Sequence, residues 1–368
     1  MICFRVTMTK LKRLLLAGAI FFVPAYAIGV TRQKSANYSC GHLLATMNAF
    51  KLIHDKKFLP NKQSEIKKVE AVAKLVSSMN DNKGPDLLAV VEVDGDFLTQ
   101  LVRHPLMKKS GLASHGVAPQ ADDRGNNLGL ISRFPMLKGP VAHIYWSEDD
   151  PLWRQRKRFG RKEFSGGLLT RPIVEYHLRL PNDEELIVFV NHWPSKKLGD
   201  WSALQRFQAA RFLKKVTDQI LSRNPIANII IMGDFNAEPD SPEMKAGLGL
   251  SMTEKLRNLE EESFNLKKRM ADFKAAHPGA NKQTIDDYAE SLLKERATCF
   301  FEAGKRWEVF DQIIVSQNFL KYLQQGSFGP LRHHEFISPS GKPLAFDPVT
   351  GSGATDHFPV GGWFCFEP

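Results

Sequence analysis

From Leu44 onward, short apolar runs alternate with amphipathic stretches. Residues 87–93, 186–190, 228–232 and 312–315 are short, mostly apolar, rich in β-branched residues and bounded by polar or turn residues, which predicts buried strands. Residues 64–79 and 202–222 have helical spacing instead. In the first, Ile66, Val69, Val72, Ala73 and Val76 share one face; in the second, Leu204, Phe207, Phe212, Val216 and Ile220 mostly do. The alternation predicts an α/β domain. Residues 254–298 are densely charged, with helical patterning and few strand signals, and predict a helical insertion rather than a second domain. Residues 338–355, rich in Gly, Pro and Ser, predict a long loop.

The first 27 residues stand apart. Arg5, Lys10, Lys12 and Arg13 precede an apolar run over 14–23, and Ala25-Tyr26-Ala27 supplies small residues for cleavage. This pattern predicts a signal peptide over 1–27, export to the periplasm or beyond, and a single catalytic domain over 28–368. The run is too short to cross a bilayer, so no membrane insertion is expected after cleavage. Loss of the leader lowers the formal charge from +10 to +6. That field favours phosphate-bearing ligands without identifying them. Hydrophobic residues at 43% and charged residues at 24% exclude a disordered chain. Cys40, Cys299 and Cys365 would remain, an odd number without zinc-type spacing. One disulfide is compatible with export, and so are buried free thiols.

Chemistry concentrates where apolar runs end. Ile230-Ile231-Met232-Gly233-Asp234-Phe235-Asn236 delivers a carboxylate and a carboxamide two residues apart, on one side of an extended chain. Asp and Asn also serve as turn formers after strands. Asp356-His357 joins an acid to an imidazole ahead of a final apolar run, and imidazole is readily poised for proton transfer near neutral pH. Asn191-His192 ends a third run, Glu92 lies inside a fourth and Asp311 opens a fifth. A Glu within a buried strand is costly unless it is paired or ligates a metal.

In this order the blocks Asn48, Val91-Glu92, Thr170-Arg171-Pro172, Asn191-His192, Gly233-Asp234-Phe235-Asn236, Asp311-Gln312 and Asp356-His357 resemble the endonuclease/exonuclease/phosphatase superfamily, and the Asp234, Asp311 and Asp356 blocks look particularly DNase I-like. The resemblance implies a four-layer α/β/β/α sandwich of two mixed sheets flanked by helices, with the site at one end. It implies Asn48, Glu92 and Asp356 at a divalent metal, Mg²⁺ or Mn²⁺ with Ca²⁺ as a further candidate. A hard cation suits such oxygen ligands. It implies Asp234 and Asn236 on water and phosphate, His357 oriented by Asp311, and His192 as a second imidazole. Arg171 and Asn191 would contact the phosphate. Val91 replaces the usual Gln and Thr355 the usual Ser; neither change removes a catalytic group.

Weaker features complete the reading. Residues 153–162 interleave Trp153 and Phe159 with basic residues, among them Arg154 and Arg158, as a nucleic-acid backbone would require. A solvated loop has the same composition. His333-His334-Glu335 reads as a surface group. The expected activity is an exported, metal-dependent nuclease cleaving DNA, with RNA as a second substrate and no obligate protein partner. The alternatives are a sphingomyelinase-like or other phosphate-ester hydrolase and a non-catalytic binding module on the same fold.

Overall fold

The apolar runs become strands, and their alternation decides which way each side chain faces. The computed structural model describes residues 41–49, 61–112, 114–120, 122, 125–146, 171–196, 199–250, 255–264, 266–302 and 304–366. One six-stranded sheet contains β1 (Gly41–Asn48), β2 (Leu87–Val93), β3 (Ser114–Val117), β4 (Asn127–Ser132), β13 (Gly329–Pro330) and β14 (Val360–Cys365), in the order β13-β14-β1-β2-β4-β3. The other contains β5 (Met136–His143), β6 (Ile173–Arg179), β7 (Glu185–His192), β8 (Asn228–Asp234), β9 (Leu256–Asn258) and β12 (Asp311–Ser316), in the order β5-β6-β7-β8-β12-β9. The pairs β1–β2 and β7–β8 are parallel, which makes both sheets mixed. A small hairpin of β10 (Cys299–Phe301) and β11 (Arg306–Glu308) stands beside them.

Period-two alternation splits the core into layers. Leu44, Leu87, Ala89 and Val91 of the first sheet pack with Val188, Val190, Ile230, Met232 and Ile313 of the second. The alternate positions Leu43, Ala45, Met47, Leu88 and Val90 pack against α1 (Lys62–Asn82) and α2 (Gly95–Arg103). Ile187, Phe189, Ile229 and Ile231 pack against Ala209, Ala210 and Leu213 of α4 (Asp200–Arg223). The result is the four-layer sandwich the motifs imply. Both faces of the central strands are buried, which is why they read as continuous apolar runs.

Short α3 (Pro105–Lys109) follows α2, and α8 (Gln317–Leu320) follows β12. The charged insertion holds α5 (Leu259–Phe264), α6 (Leu266–Ala276) and α7 (Lys282–Arg296), but it also supplies β9, which pairs with β12 at the sheet edge. The predicted helical faces need correction. Ile66 and Leu204 are exposed, while the buried stripe of α4 runs through Ser202, Gln205, Ala209, Leu213, Thr217 and Leu221. Small residues there let the helix approach the sheet. Asp94 caps α2, accepting from the Phe97 N–H at 2.7 Å. Cys299 is buried and free, whereas Cys365 is disulfide-bonded.

Candidate active site

The inner-face parity of four strands runs straight into the site. It continues from Leu44 to Asn48 on β1, from Val190 to His192 on β7, from Met232 to Asp234 on β8, and back from Ile313 to Asp311 on β12. His192 and Asp311 are the register partners of Asp234 on either side. All four polar groups therefore meet where the apolar crevice between the sheets ends, and each is at least 96% buried.

Glu92 arrives by a different route. The pairing of β2 with β4 shifts register between Val91 and Val93, and Glu92 has φ +56°. Strict alternation would aim it at the helices; instead Val93 takes that place. The bulge turns the carboxylate toward the site, where His192 Nε2 lies 3.6 Å from Glu92 Oε1 and 3.7 Å from Asp234 Oδ2. Non-glycine residues held at positive φ cluster at functional sites.

Hydrogen bonds fix the remaining groups. Asn48 Nδ2 donates to Asp234 Oδ2 at 3.2 Å, joining the two sheets. The Asn236 N–H donates to Asp234 Oδ1 at 2.8 Å, and Asn236 Nδ2 donates to the Trp193 carbonyl at 3.1 Å. Gly233 explains its own place in the motif: at φ +140°, a Cβ would lie 1.9 Å from the Asn191 carbonyl oxygen. His357 Nδ1 is 2.6 Å from Asp311 Oδ2. The Thr355 hydroxyl donates to the Asn48 carbonyl at 2.5 Å and accepts from the His357 N–H at 3.3 Å, so Thr supplies the hydroxyl that Ser would.

The electrostatics are those of crowded acids. Burial, with the Asp311 and Glu92 carboxylates adding to it, pushes Asp234 up to about 7. Burial also pushes Asp356 up to about 6, with Glu92 adding to it and His357 opposing. Burial disfavours charge on His357, yet Asp311, Asp356 and Asp234 together hold its pKa well above the ordinary value. Groups tuned this way suit proton transfer near neutrality.

Asp234, Asp311 and His357 form the tightest group of metal-ligand atoms among the described residues, all within 4.8 Å. His357 Nδ1 is already committed to Asp311, and an imidazole held in its protonated form cannot ligate a cation. That trio suits proton handling. Asn48, Glu92 and Asp356 each carry a side-chain oxygen that a divalent cation could take. Among the described residues no hydrogen-bond donor reaches the buried Asp356 Oδ1, and oxygen is the donor type a hard cation prefers.

Some sequence-predicted residues stand elsewhere. Arg171 does not present its guanidinium to the opening. It is 3% exposed and donates to Asp122 Oδ2 at 2.8 Å and to the His192 and Trp193 carbonyls, each at 3.1 Å. It therefore braces the chain that carries His192. Asn191 has the opposite parity to His192 and faces the helix layer, where it donates to the Phe189 carbonyl and accepts from Trp193 Nε1. Arg154 and Arg158 lie outside the described residues. One residue was missed: Lys68 of α1 is fully buried and donates to the Ala354 carbonyl, with Asp356 and Glu92 among the acids that favour its charged form. Its signal was in plain view, since Lys68, Val72 and Val76 are four apart on the helix's apolar stripe.

A profile described as the endonuclease/exonuclease/phosphatase family matches residues 35–334. The chain belongs to that family. It is thus a hydrolase of a family whose members generally act with divalent metals. Among solved structures, TDP2 from Caenorhabditis elegans superposes with a TM-score of 0.52 at 15% identity, covering 89% of this chain and 98% of that one. A family member from Bacteroides thetaiotaomicron gives 0.52 at 14% identity, covering 89% and 98%. A mannosyl-6-phosphatase from the same organism gives 0.52 at 15%, covering 88% and 100%. At such identities these likenesses speak for the fold. No curated protein sequence matches the chain.

Proposed function

We propose that this family member is an exported, divalent-metal-dependent phosphodiesterase that cleaves DNA, with RNA as a second substrate. The observation that carries the reading is the convergence of Asn48, Glu92, His192, Asp234, Asp311 and His357 at one end of the inter-sheet crevice. Asn48, Glu92 and Asp356 would hold the cation, which when bound supplies neutralisation of phosphate charge. Asp234, fixed by the Asn236 N–H and poised near 7, takes a proton from the attacking water. His357 keeps Nδ1 on Asp311, so Nε2 is the nitrogen that faces the reacting phosphate. His192 and His357 stabilise negative charge as it develops on the phosphoryl oxygens. Arg171 acts by holding the His192 carbonyl, not by touching the phosphate.

Nucleic acid is favoured by the basic, aromatic segment 153–162 and by the positive net charge. Export is supported by the leader pattern and by the Cys365 disulfide, a bond that persists in oxidising compartments. No helix among the described residues is long and apolar enough to cross a membrane. The test is a panel of plasmid, single-stranded DNA, RNA, sphingomyelin and a sugar 6-phosphate, each with Mg²⁺ and with EDTA. The expected result is Mg²⁺-dependent cleavage of DNA that EDTA abolishes. Hydrolysis of sphingomyelin or the sugar phosphate, with the nucleic acids intact, would overturn the substrate assignment.

A further inference from the structure

Lys68 is an ammonium enclosed within the core, with no exposed surface. Burying such a charge is costly unless acceptors and opposite charge meet it. A methionine would fill the same stripe of α1 without that cost. The compensation must come from its surroundings. Its Nζ donates to the Ala354 carbonyl at 2.5 Å, two residues before Asp356. Burial draws its pKa down to about 7, against the opposing pull of Asp356 and Glu92.

The segment it grips is held at several points. The Ala354 N–H donates to the Leu344 carbonyl at 2.9 Å. Gly353, at φ +71°, lets the chain fold so closely that a Cβ would lie 2.3 Å from the Ala345 carbonyl oxygen. Thr355 is fastened to the Asn48 carbonyl. The neighbouring Lys67 holds only the exposed tip of the loop, donating to the Val349 carbonyl at 2.9 Å. Asp356 is thus delivered by a loop whose base is seated on α1 through Lys68.

We propose that Lys68 is a positioning residue for Asp356, its buried side chain seating the loop that delivers that acid. It acts through that carboxylate and does not itself meet the substrate. The proposal rests on the phosphoesterase reading for its kinetic arm only. In Lys68→Met, kcat falls on the order of 30-fold, as for loss of a group that orients metal-site ligands, with KM little changed. Lys68→Arg, which keeps cation and donor, recovers most of the loss. Lys67→Met stays within about twofold of wild type, as an exposed pairing should. In an Asp356→Asn background, adding Lys68→Met costs no more than about twofold, because the two act as one unit. Additive losses, or a folded Lys68→Met with wild-type kcat, would overturn the proposal.

A stability arm in metal-free protein needs no turnover. Lys68→Met lowers Tm and speeds hydrogen exchange at the Ala354 amide, and both effects shrink in the Asp356→Asn background. If Lys68→Met fails to fold alone, the double variant is expected to fold, because one acid that demands the cation is gone; a double variant that also fails contradicts the proposal. If the wild-type chain hydrolyses no phosphate ester, the phosphoesterase reading falls while this arm still decides the role of Lys68.

Discussion

Two clusters in this molecule, one around a single buried acid and one of several acids, are built in opposite ways. On the outer face of the second sheet, Glu175 lies between His177 Nε2 at 2.6 Å and His143 Nε2 at 2.8 Å, with Lys138 at 3.5 Å. Those hydrogen bonds from His143 and His177 hold the Glu175 carboxyl well below its ordinary range despite partial burial. At the end of the crevice, Asp234, Asp311, Glu92 and Asp356 crowd together, and the carboxyls of Asp234 and Asp356 are pushed upward. One cluster is balanced by its own residues. The other holds more acid than its imidazoles and one buried lysine neutralise, the condition in which a divalent cation gains most. A matched cluster stabilises the fold, whereas a mismatched one stores the imbalance for chemistry.

The contrast is most severely strained by Asp234→Asn. Turnover should fall by about 10³-fold, since both proton transfer and the field at the phosphate are lost. The same change relieves repulsion, so the metal-free Tm should hold or rise. A lower Tm with retained activity, read by calorimetry and steady-state kinetics, would erase the distinction between the clusters. Glu175→Gln should do the reverse. It removes charge-assisted bonds to His143 and His177 and should cost about 1–3 kcal/mol of stability by denaturant titration. Activity per folded molecule should remain within about twofold, because the group lies outside the site.

The smallest effect is a pH slope. In the metal-free folded chain, Asp234 and Asp356 keep protons above the ordinary aspartate value of 3.8. Their contribution to stability is fully present below 3.8 and is lost as pH rises through about 6 and then about 7. Glu175 has the opposite sign: its contribution is present above the ordinary 4.5 and is lost as pH falls through its depressed pKa. Melting curves of metal-free protein should therefore lose stability between pH 4 and 7, and Asp234→Asn should flatten that slope, whereas Glu175→Gln should not.

Much of this was legible in the chain. The short apolar runs predicted an α/β domain, and the polar groups at their ends carried the resemblance that implied the sandwich and the end at which its chemistry lies. What was not legible depended on geometry between distant segments. Glu92 enters the site only because β2 bulges at a positive φ, which alternation cannot foretell. Arg171 looked like a phosphate clamp until Asp122, 49 residues away in the chain, took its guanidinium. Asn191 and His192 are neighbours in sequence but face opposite layers. Lys68 sat on an apolar stripe, but the carbonyl it holds, that of Ala354, is remote in the chain.

The claim at the centre is that the crevice acids, and not the Glu175 cluster, hold a divalent cation. Calorimetric titration of Mn²⁺ into wild type, Glu92→Gln and Glu175→Gln tests it without turnover. Binding should be lost or weakened by at least about tenfold in Glu92→Gln and unchanged in Glu175→Gln. Equal binding by wild type and Glu92→Gln, or loss confined to Glu175→Gln, would contradict it.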